Sequence, residues 1–255
     1  MAARWPSQLL LVRHGESAGN VARDRAHAAR SSHIDIAERD ADVPLSTLGI
    51  EQSRALGRWL AGQPESERPQ VALSSPYVRA TQTTSLIIAE GGLTPEAPPV
   101  VVDERLRERE FGILDRLTTA GIREIFPEQA EMRSRLGKFY HRAPGGESWC
   151  DVILRLRSVV DMLSLHYAGK RVMIVSHEVV VLCMRYLLEN LDEAGILAID
   201  AQGDVANCAV TEYALGSSDD GKDGALVLRA YNRTLPIEQQ GAPVTTAPDA
   251  SVAPR

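Results

Sequence analysis

Residues 9–20 read Leu9-Leu10-Leu11-Val12-Arg13-His14-Gly15-Glu16-Ser17-Ala18-Gly19-Asn20. Four consecutive apolar residues mark a strand covered on both faces, as at the centre of a parallel sheet. The run stops at a guanidinium and an imidazole, so the strand carries a cation and a nucleophile-capable ring to its carboxyl end. Gly15 lets the backbone turn sharply there and approach a ligand closely. A second run of this kind, Val172–Val175, stops at Ser176-His177.

Between and around these two strands the pattern alternates. Ser46 or Thr47 caps a helix running to about Leu60, with Leu48, Ala55, Leu56, Trp59 and Leu60 on one face. Val71–Leu73 is a short strand leading into Ser74-Ser75-Pro76, and Pro76 opens a helix, Tyr77–Glu90, that ends at Gly91-Gly92. Val100–Val102 is another strand. Ser148-Trp149-Cys150-Asp151 has the form of a capping box ahead of the stripe Val152, Leu156, Val159, Leu163. A helix over Val179–Leu188 follows, then late strands at 207–215 and 225–232 joined by a Gly/Asp/Ser-rich turn, 216–224. Strands alternating with helices predict a three-layer α/β/α fold with a largely parallel central sheet. Ligands of such sheets sit beyond the carboxyl ends of the strands, so His14 and His177 are expected on one rim.

The same pass sets the domain plan. Residues 1–235 read as one domain. Residues 17–30 are compatible with a helix, but segment 21–44, dense in both charge signs and ending at Pro44, reads as a mobile cover over the site, and 116–146 as a polar insertion. Residues 236–255 hold four prolines and no aromatic residue, and read as a disordered tail. The formal net charge of −6 argues against a nucleic-acid or anionic-membrane binder, so any basic site must be local. Only three of the 28 basic residues are lysine, so a single arginine carries weight only where its position is special. Cys150, Cys183 and Cys208 lie too far apart for a zinc motif or a disulfide framework, and read as buried thiols. Residues 1–12 lack a signal-peptide pattern, and no apolar run nears the roughly 20 residues that cross a bilayer. A cytoplasmic protein is expected, with its oligomeric state left open and a homodimer among the choices.

Three stretches fall just past strand ends: Arg13-His14, Ser74–Arg79 and Ser176-His177. All carry, or can take up, positive charge. That environment suits a phosphate dianion, because guanidiniums give bidentate, charge-assisted hydrogen bonds to its oxygens. Arg79, one turn into its helix, adds to the anion preference of a helix N-terminus.

Leu-Val-Arg-His-Gly-Glu-Ser followed by Asn20, Ser-Ser-Pro-Tyr-Val-Arg-Ala-Thr-Gln-Thr at 74–83, Leu-Arg-Glu-Arg-Glu-Phe-Gly at 106–112 and Val-Ser-His at 175–177 together resemble the histidine phosphatase superfamily, in its phosphoglycerate mutase-like branch. The resemblance implies a small phosphorylated substrate and a phosphohistidine intermediate on His14. Arg13, Arg79 and His177 would cradle the phosphoryl oxygens, His177 as a cation. Asn20 would contact phosphate or substrate, and Glu108 would protonate the leaving alkoxide and then activate water. Glu104 and Glu110 are rivals for that acid. Glu178 stands where the family often has glycine, and is expected to tune His177 upward. The mutases' long basic, proline-rich insertion is missing, so hydrolysis ranks above phosphoryl transfer, and 2,3-bisphosphoglycerate would act as donor only in a mutase. No metal or other cofactor is expected. In the insertion, Lys138, His141 and Arg142 are candidates for a second anionic group of the substrate.

Other readings compete. Gly15-Glu16-Ser17-Ala18-Gly19 fits the G-x-S-x-G nucleophile elbow of a serine hydrolase, but it lies within the first twenty residues, where no strand is expected ahead of the apolar run Leu9–Val12 to supply the oxyanion loop. His177-Glu178 begins a metalloprotease motif that fails at Val181. A phospho-ligand-binding protein that has lost catalysis is the non-enzyme alternative.

Overall fold

The apolar runs become the sheet, and the stripes become the helices that cover it. The computed structural model describes residues 4–94, 100–217 and 224–246. In chain order the elements are β1 (Gln8–Arg13), α1 (Ala18–Ala28), α2 (Thr47–Ala61), β2 (Val71–Ser74), α3 (Val78–Gly91), β3 (Val101–Val102), α4 (Thr119–Ile125), α5 (Pro127–Tyr140), α6 (Trp149–His166), β4 (Arg171–Ser176), α7 (Glu178–Leu188), α8 (Glu193–Asp200), β5 (Val210–Leu215), β6 (Leu226–Arg233) and α9 (Leu235–Glu238). The strand order is β3-β2-β4-β1-β5-β6. The first four of these strands run parallel, and β5 and β6 are antiparallel additions at one edge.

Alternation along each strand feeds two cores. Leu9, Leu11, Leu73 and Ile174 face α6 and α7, where Trp149, Val152, Leu156, Val159 and Leu163 are buried. Leu10, Val12, Ala72, Met173 and Val175 face α2, α3 and α9, against Ala55, Leu56, Leu60, Ala80 and Ile87. A period of two with both faces apolar is the signature of a sheet sandwiched between helix layers. The caps fall as the sequence indicates: Ser46 caps α2, and Ser148 with Asp151 forms the capping box of α6. No helix among the described residues is long and apolar enough to cross a membrane.

Three expectations change. The helix open to residues 17–30 forms and anchors the start of the charged segment 21–44, expected as a mobile cover: Ser17 and Asn20 close a capping box on α1, which buries Asn20, Arg23 and Ala26. The chain beyond it is also tied down, through bridges from Ser17 to Leu45 and from His33 to Leu117. The late strand starts at Val210 rather than 207, because Cys208 takes a left-handed φ of 55° and its N–H turns back to Arg13 O. Six residues of the turn expected at 216–224 lie outside the described residues.

Residues 236–246 pack instead of trailing as a tail. Ile237 is fully buried in the α2/α3 core. Gln52 Nε2 donates to Pro243 O and to Thr245 Oγ1, each at 2.9 Å. Thr245 O accepts from Asn207 N at 2.9 Å, and Thr245 Oγ1 donates to Asn207 Oδ1 at 3.0 Å. Proline content misled here, because α9 carries its proline in the first turn, where no N–H is needed. The rest of the expected tail, 247–255, lies outside the described residues. A segment that touched nothing could be removed at no cost. Deleting 236–255 should instead lower stability by at least the ~2–4 kcal/mol of emptying a buried Ile site, read as a fall in the urea midpoint at unchanged slope.

Candidate active site

The parallel pairing of β1 with β4 sets Arg13 opposite Ser176. The next residue on each strand is a histidine, and the two rings meet edge to face with centroids 5.1 Å apart. His14 N donates to Ser176 O at 2.9 Å, which extends the ladder one step past the strand. Arg79 reaches in from the first turn of α3 and donates from Nε to His14 Nε2 at 3.2 Å. On the ring's other side, Nδ1 lies 2.7 Å from Gly15 O. A carbonyl can only accept, so Nδ1 carries the proton and the Nε2 lone pair faces the guanidinium.

The backbone under His14 is clamped. Asn207 Nδ2 donates to His14 O, Gly15 N donates to Thr83 Oγ1 and Glu16 N donates to Gln52 Oε1, at 3.1, 3.0 and 2.9 Å. The first turn of α2 presses directly on this loop. A Cβ on Gly15 would lie 2.5 Å from Gly49 O, and one on Gly49 would lie 1.9 Å from Glu16 O. Both positions must be glycine for this approach.

His177 is completely buried, with Nε2 2.8 Å from Ser75 Oγ. Burial, then the charges of Arg79, His14 and Arg13, hold its pKa well below the ordinary histidine value. The ring is therefore neutral at pH 7, not the cation expected of it. Glu178 does not raise it, because that carboxylate turns away. It accepts from Val205 N at 3.1 Å and lies 3.8 Å from Arg13 Nη1, which itself donates to Val205 O. Arg13 is thus buried beside a carboxylate at the base of the site.

Among the three candidate acids only Glu108 is buried, whereas Glu104 and Glu110 are exposed. Glu108 Oε2 lies 3.9 Å from His177 Nδ1, and Oε1 accepts from Arg109 N at 2.7 Å. Glu110 instead accepts from the Tyr77 hydroxyl at 3.0 Å. Asn20 lines the pocket in front of His14, but its Oδ1 accepts from both Ser17 N and Ser17 Oγ. That capping box engages the Ser17 hydroxyl with Asn20 rather than with an imidazole, which removes support for the serine-nucleophile reading. Lys138 is taken up by Asp200, and the exposed Arg142 lies near Asp151. Of that trio only His141 is turned inward and buried. Among the described residues, no group of three or more His, Cys, Asp or Glu side chains is placed to share a metal ion.

Three contributors escaped the sequence reading. Asp40, from the charged segment, holds Arg79: Nη1 donates to its backbone O at 2.6 Å and lies 2.9 Å from Oδ1, and Nη2 lies 3.4 Å from Oδ2. Ser75 sits in the strand-end motif, yet nothing in the sequence singles it out from Ser74. Arg155 braces the segment that carries Glu108, donating to Arg105 O and Glu108 O while its Nε meets Glu147 Oε1 at 2.9 Å. Its only signal is position, one residue off the apolar stripe of α6. In front of His14 and Arg79 opens a cavity of about 90 Å³, walled by Ile34, Ile36, Val43, Phe111 and Leu114.

With this geometry in place, comparison with known proteins is direct. A family model described as the histidine phosphatase superfamily, branch 1, matches residues 9–222. The chain belongs to that superfamily. A probable phosphoglycerate mutase of Yersinia enterocolitica is 28% identical over 179 residues, covering 69% of this chain and 72% of that protein. A mycobacterial glucosyl-3-phosphoglycerate phosphatase superposes with a TM-score of 0.65 at 27% identity, covering 89% of this chain and 99% of that one. The α-ribazole phosphatase of Shigella flexneri, at 21% identity, shares the fold with a TM-score of 0.68 over 89% of this chain and 96% of its own.

The depressed pKa of His177 makes stability depend on pH. Above its ordinary value of 6.5 the ring is neutral in both folded and unfolded chains. Below it the unfolded chain takes a proton that the folded chain refuses, so stability falls as pH falls, by up to about 1.4 kcal/mol per pH unit for one proton. The His177→Gln variant should show a shallower loss between pH 6.5 and 5 in urea titrations, and equal slopes would remove His177 as the cause.

Proposed function

We propose that this chain is a phosphomonoester hydrolase that works through a phosphohistidine on His14 and acts on a small phosphorylated metabolite. The observation that carries this reading is the fixed tautomer of His14. Gly15 O holds the Nδ1 proton, so the Nε2 lone pair points to the place where Arg79 would hold a phosphoryl group. Imidazole is a nucleophile only through an unprotonated nitrogen, and here the backbone selects which one.

In the first step Nε2 attacks phosphorus, and the bond to the alcohol oxygen breaks with its electron pair. Glu108 gives that oxygen its proton. Charge building on the equatorial oxygens is met by Arg79, by Arg13 and by donation from His177, held in place before reaction. In the second step Glu108, now a carboxylate, takes a proton from water as the water attacks the phosphohistidine. Inorganic phosphate leaves and His14 is restored. Asn20 lies at the mouth, where substrate enters. These steps draw only on side chains of this chain.

The similarity to a probable phosphoglycerate mutase favours one second reading, transfer of the phosphoryl group to another hydroxyl instead of to water. Assay of a phosphomonoester panel that includes 3-phosphoglycerate, with 2,3-bisphosphoglycerate as donor, separates the two. Free phosphate should dominate, and mutase turnover matching it would reverse the order.

Labelled phosphoryl group should be trapped on the protein and be lost with His14→Ala, together with turnover. Trapping also excludes a protein that merely binds a phosphorylated ligand. Glu108→Gln should lower kcat by about 10²–10⁴-fold while leaving phosphate binding in place. Asp40 occupies the arginine fork that a phosphate needs, so Asp40→Asn should lower the inhibition constant of inorganic phosphate several-fold. A rise would mean that Asp40 is needed to aim Arg79.

A further inference from the structure

The cavity in front of His14 changes character along its length. His14 and Arg79 lie at its inner end. Beyond them the wall is apolar, made by Ile34, Ile36 and Val43 from the chain after α1 and by Phe111 and Leu114 from the chain before α4. Val43 and Leu114 are each 3% exposed, and Ile34, Ile36 and Phe111 are half-buried. The two segments are bonded to each other. Ile34 N donates to Arg116 O at 2.8 Å, Thr118 N donates to Ser32 O at 3.1 Å, and Arg116 Nη2 donates to Glu38 O at 2.7 Å. The wall is therefore in place before a ligand arrives, which suits it to select one.

Little in this cavity welcomes a second anion. Glu38, Asp40 and Asp115 all line it. Of its guanidinium groups, Arg79 is assigned to the phosphoryl group in the proposed reaction. Arg116 is held by Glu38 O and lies 3.9 Å from Asp115 Oδ2, and Arg23 is buried on α1 and is not free. Lys138, His141 and Arg142, the candidates for a second acidic group, do not line the cavity. Ser17 Oγ is bonded to Asn20 Oδ1, so a polyhydroxylated group would lose water there for few new hydrogen bonds. In-line displacement sets the leaving oxygen opposite the attacking nitrogen, so the alcohol portion of a substrate lies outward from His14, against the apolar wall.

We propose that this cavity selects phosphomonoesters whose alcohol portion is a compact apolar group, aryl or branched alkyl, without a second acidic group. The proposal rests on the hydrolytic reading of the same site and names its substrate class.

Phosphonates test it, because they keep the dianion and lack the P–O–C bond that hydrolysis breaks. In calorimetry on the purified chain, Kd should fall about fourfold for each added methylene from methyl- to propylphosphonate. The compound 3-phosphonopropionate carries a carboxylate where 3-methylbutylphosphonate carries an isopropyl group, and should bind about tenfold more weakly or worse. Ile36→Ala should shrink the advantage of 3-methylbutyl- over methylphosphonate by about threefold or more. Ile34→Ala takes its place if Ile36→Ala melts well below the parent. Equal affinities along the series, a carboxylate analogue that matches its apolar counterpart, or an undiminished advantage in the variant overturns the proposal. Its failure is separable from failure of the reaction. Binding without dependence on chain length removes only the apolar preference. Length-dependent binding in a chain that traps no phosphoryl group removes hydrolysis and retains the preference. A chain that binds no phosphonate loses both.

Discussion

The register of β1 against β4 is the constraint on which the rest of the site depends. With Leu9 opposite Val172 and Arg13 opposite Ser176, the first residue past each strand is an imidazole on the same rim. A slip of one residue would turn every side chain of β1 to the other face, exchanging Leu9 and Leu11 for Leu10 and Val12 in the two cores. Both faces are apolar, so polarity alone penalises such a slip weakly. Packing must supply the specificity, through the fit of α6 on one side and of α2 and α3 on the other.

Past the strand, control passes from packing to hydrogen bonds. The turn His14-Gly15-Glu16 is too short for secondary structure, and it is held by side chains from distant parts of the chain: Thr83, Gln52 and Asn207. Two of these, Gln52 and Asn207, are themselves held by Thr245. The segment after β6 therefore reaches the backbone at His14 through one intermediate residue. The glycine pair Gly15 and Gly49 works by a different means. Lacking side chains, the two let a helix start press on the loop backbone and leave it no room to relax away.

This division explains what the sequence reveals. The strands, the capping boxes and the His14, Arg79, Glu108 and His177 set are legible because each is local: an apolar run with its terminus, a cap with its partner three residues on, a short motif. Asp40 is not legible, because its role exists only once α1 and the following segment fold across the mouth and meet Arg79. Arg155 is hidden because a long side chain on a helix can serve either solvent or a loop, and only the folded chain shows that it holds the backbone of Arg105 and Glu108. The ordered residues after Leu235 are misread because composition reports average tendency, whereas one buried isoleucine and a few hydrogen bonds are enough to dock a short segment. The charge state of His177 is misread for the same reason. Adjacency to Glu178 in sequence suggests a raised pKa, but that carboxylate serves Arg13, and the ring meets burial and four cationic or cation-forming groups.

A single electrostatic logic runs through the basic groups around His14. Around His14, guanidiniums are brought together and positive charge is then contained. Arg13 lies near Glu178, Arg79 meets Asp40, and His177 yields its proton. Each of these concessions lowers the cost of gathering cations in a dry interior. The contact between Arg79 and Asp40 is the one open to exchange with an anion, because Asp40 lines the pocket in front of His14. That arrangement suits an anion that comes and goes, with protein groups waiting to replace it.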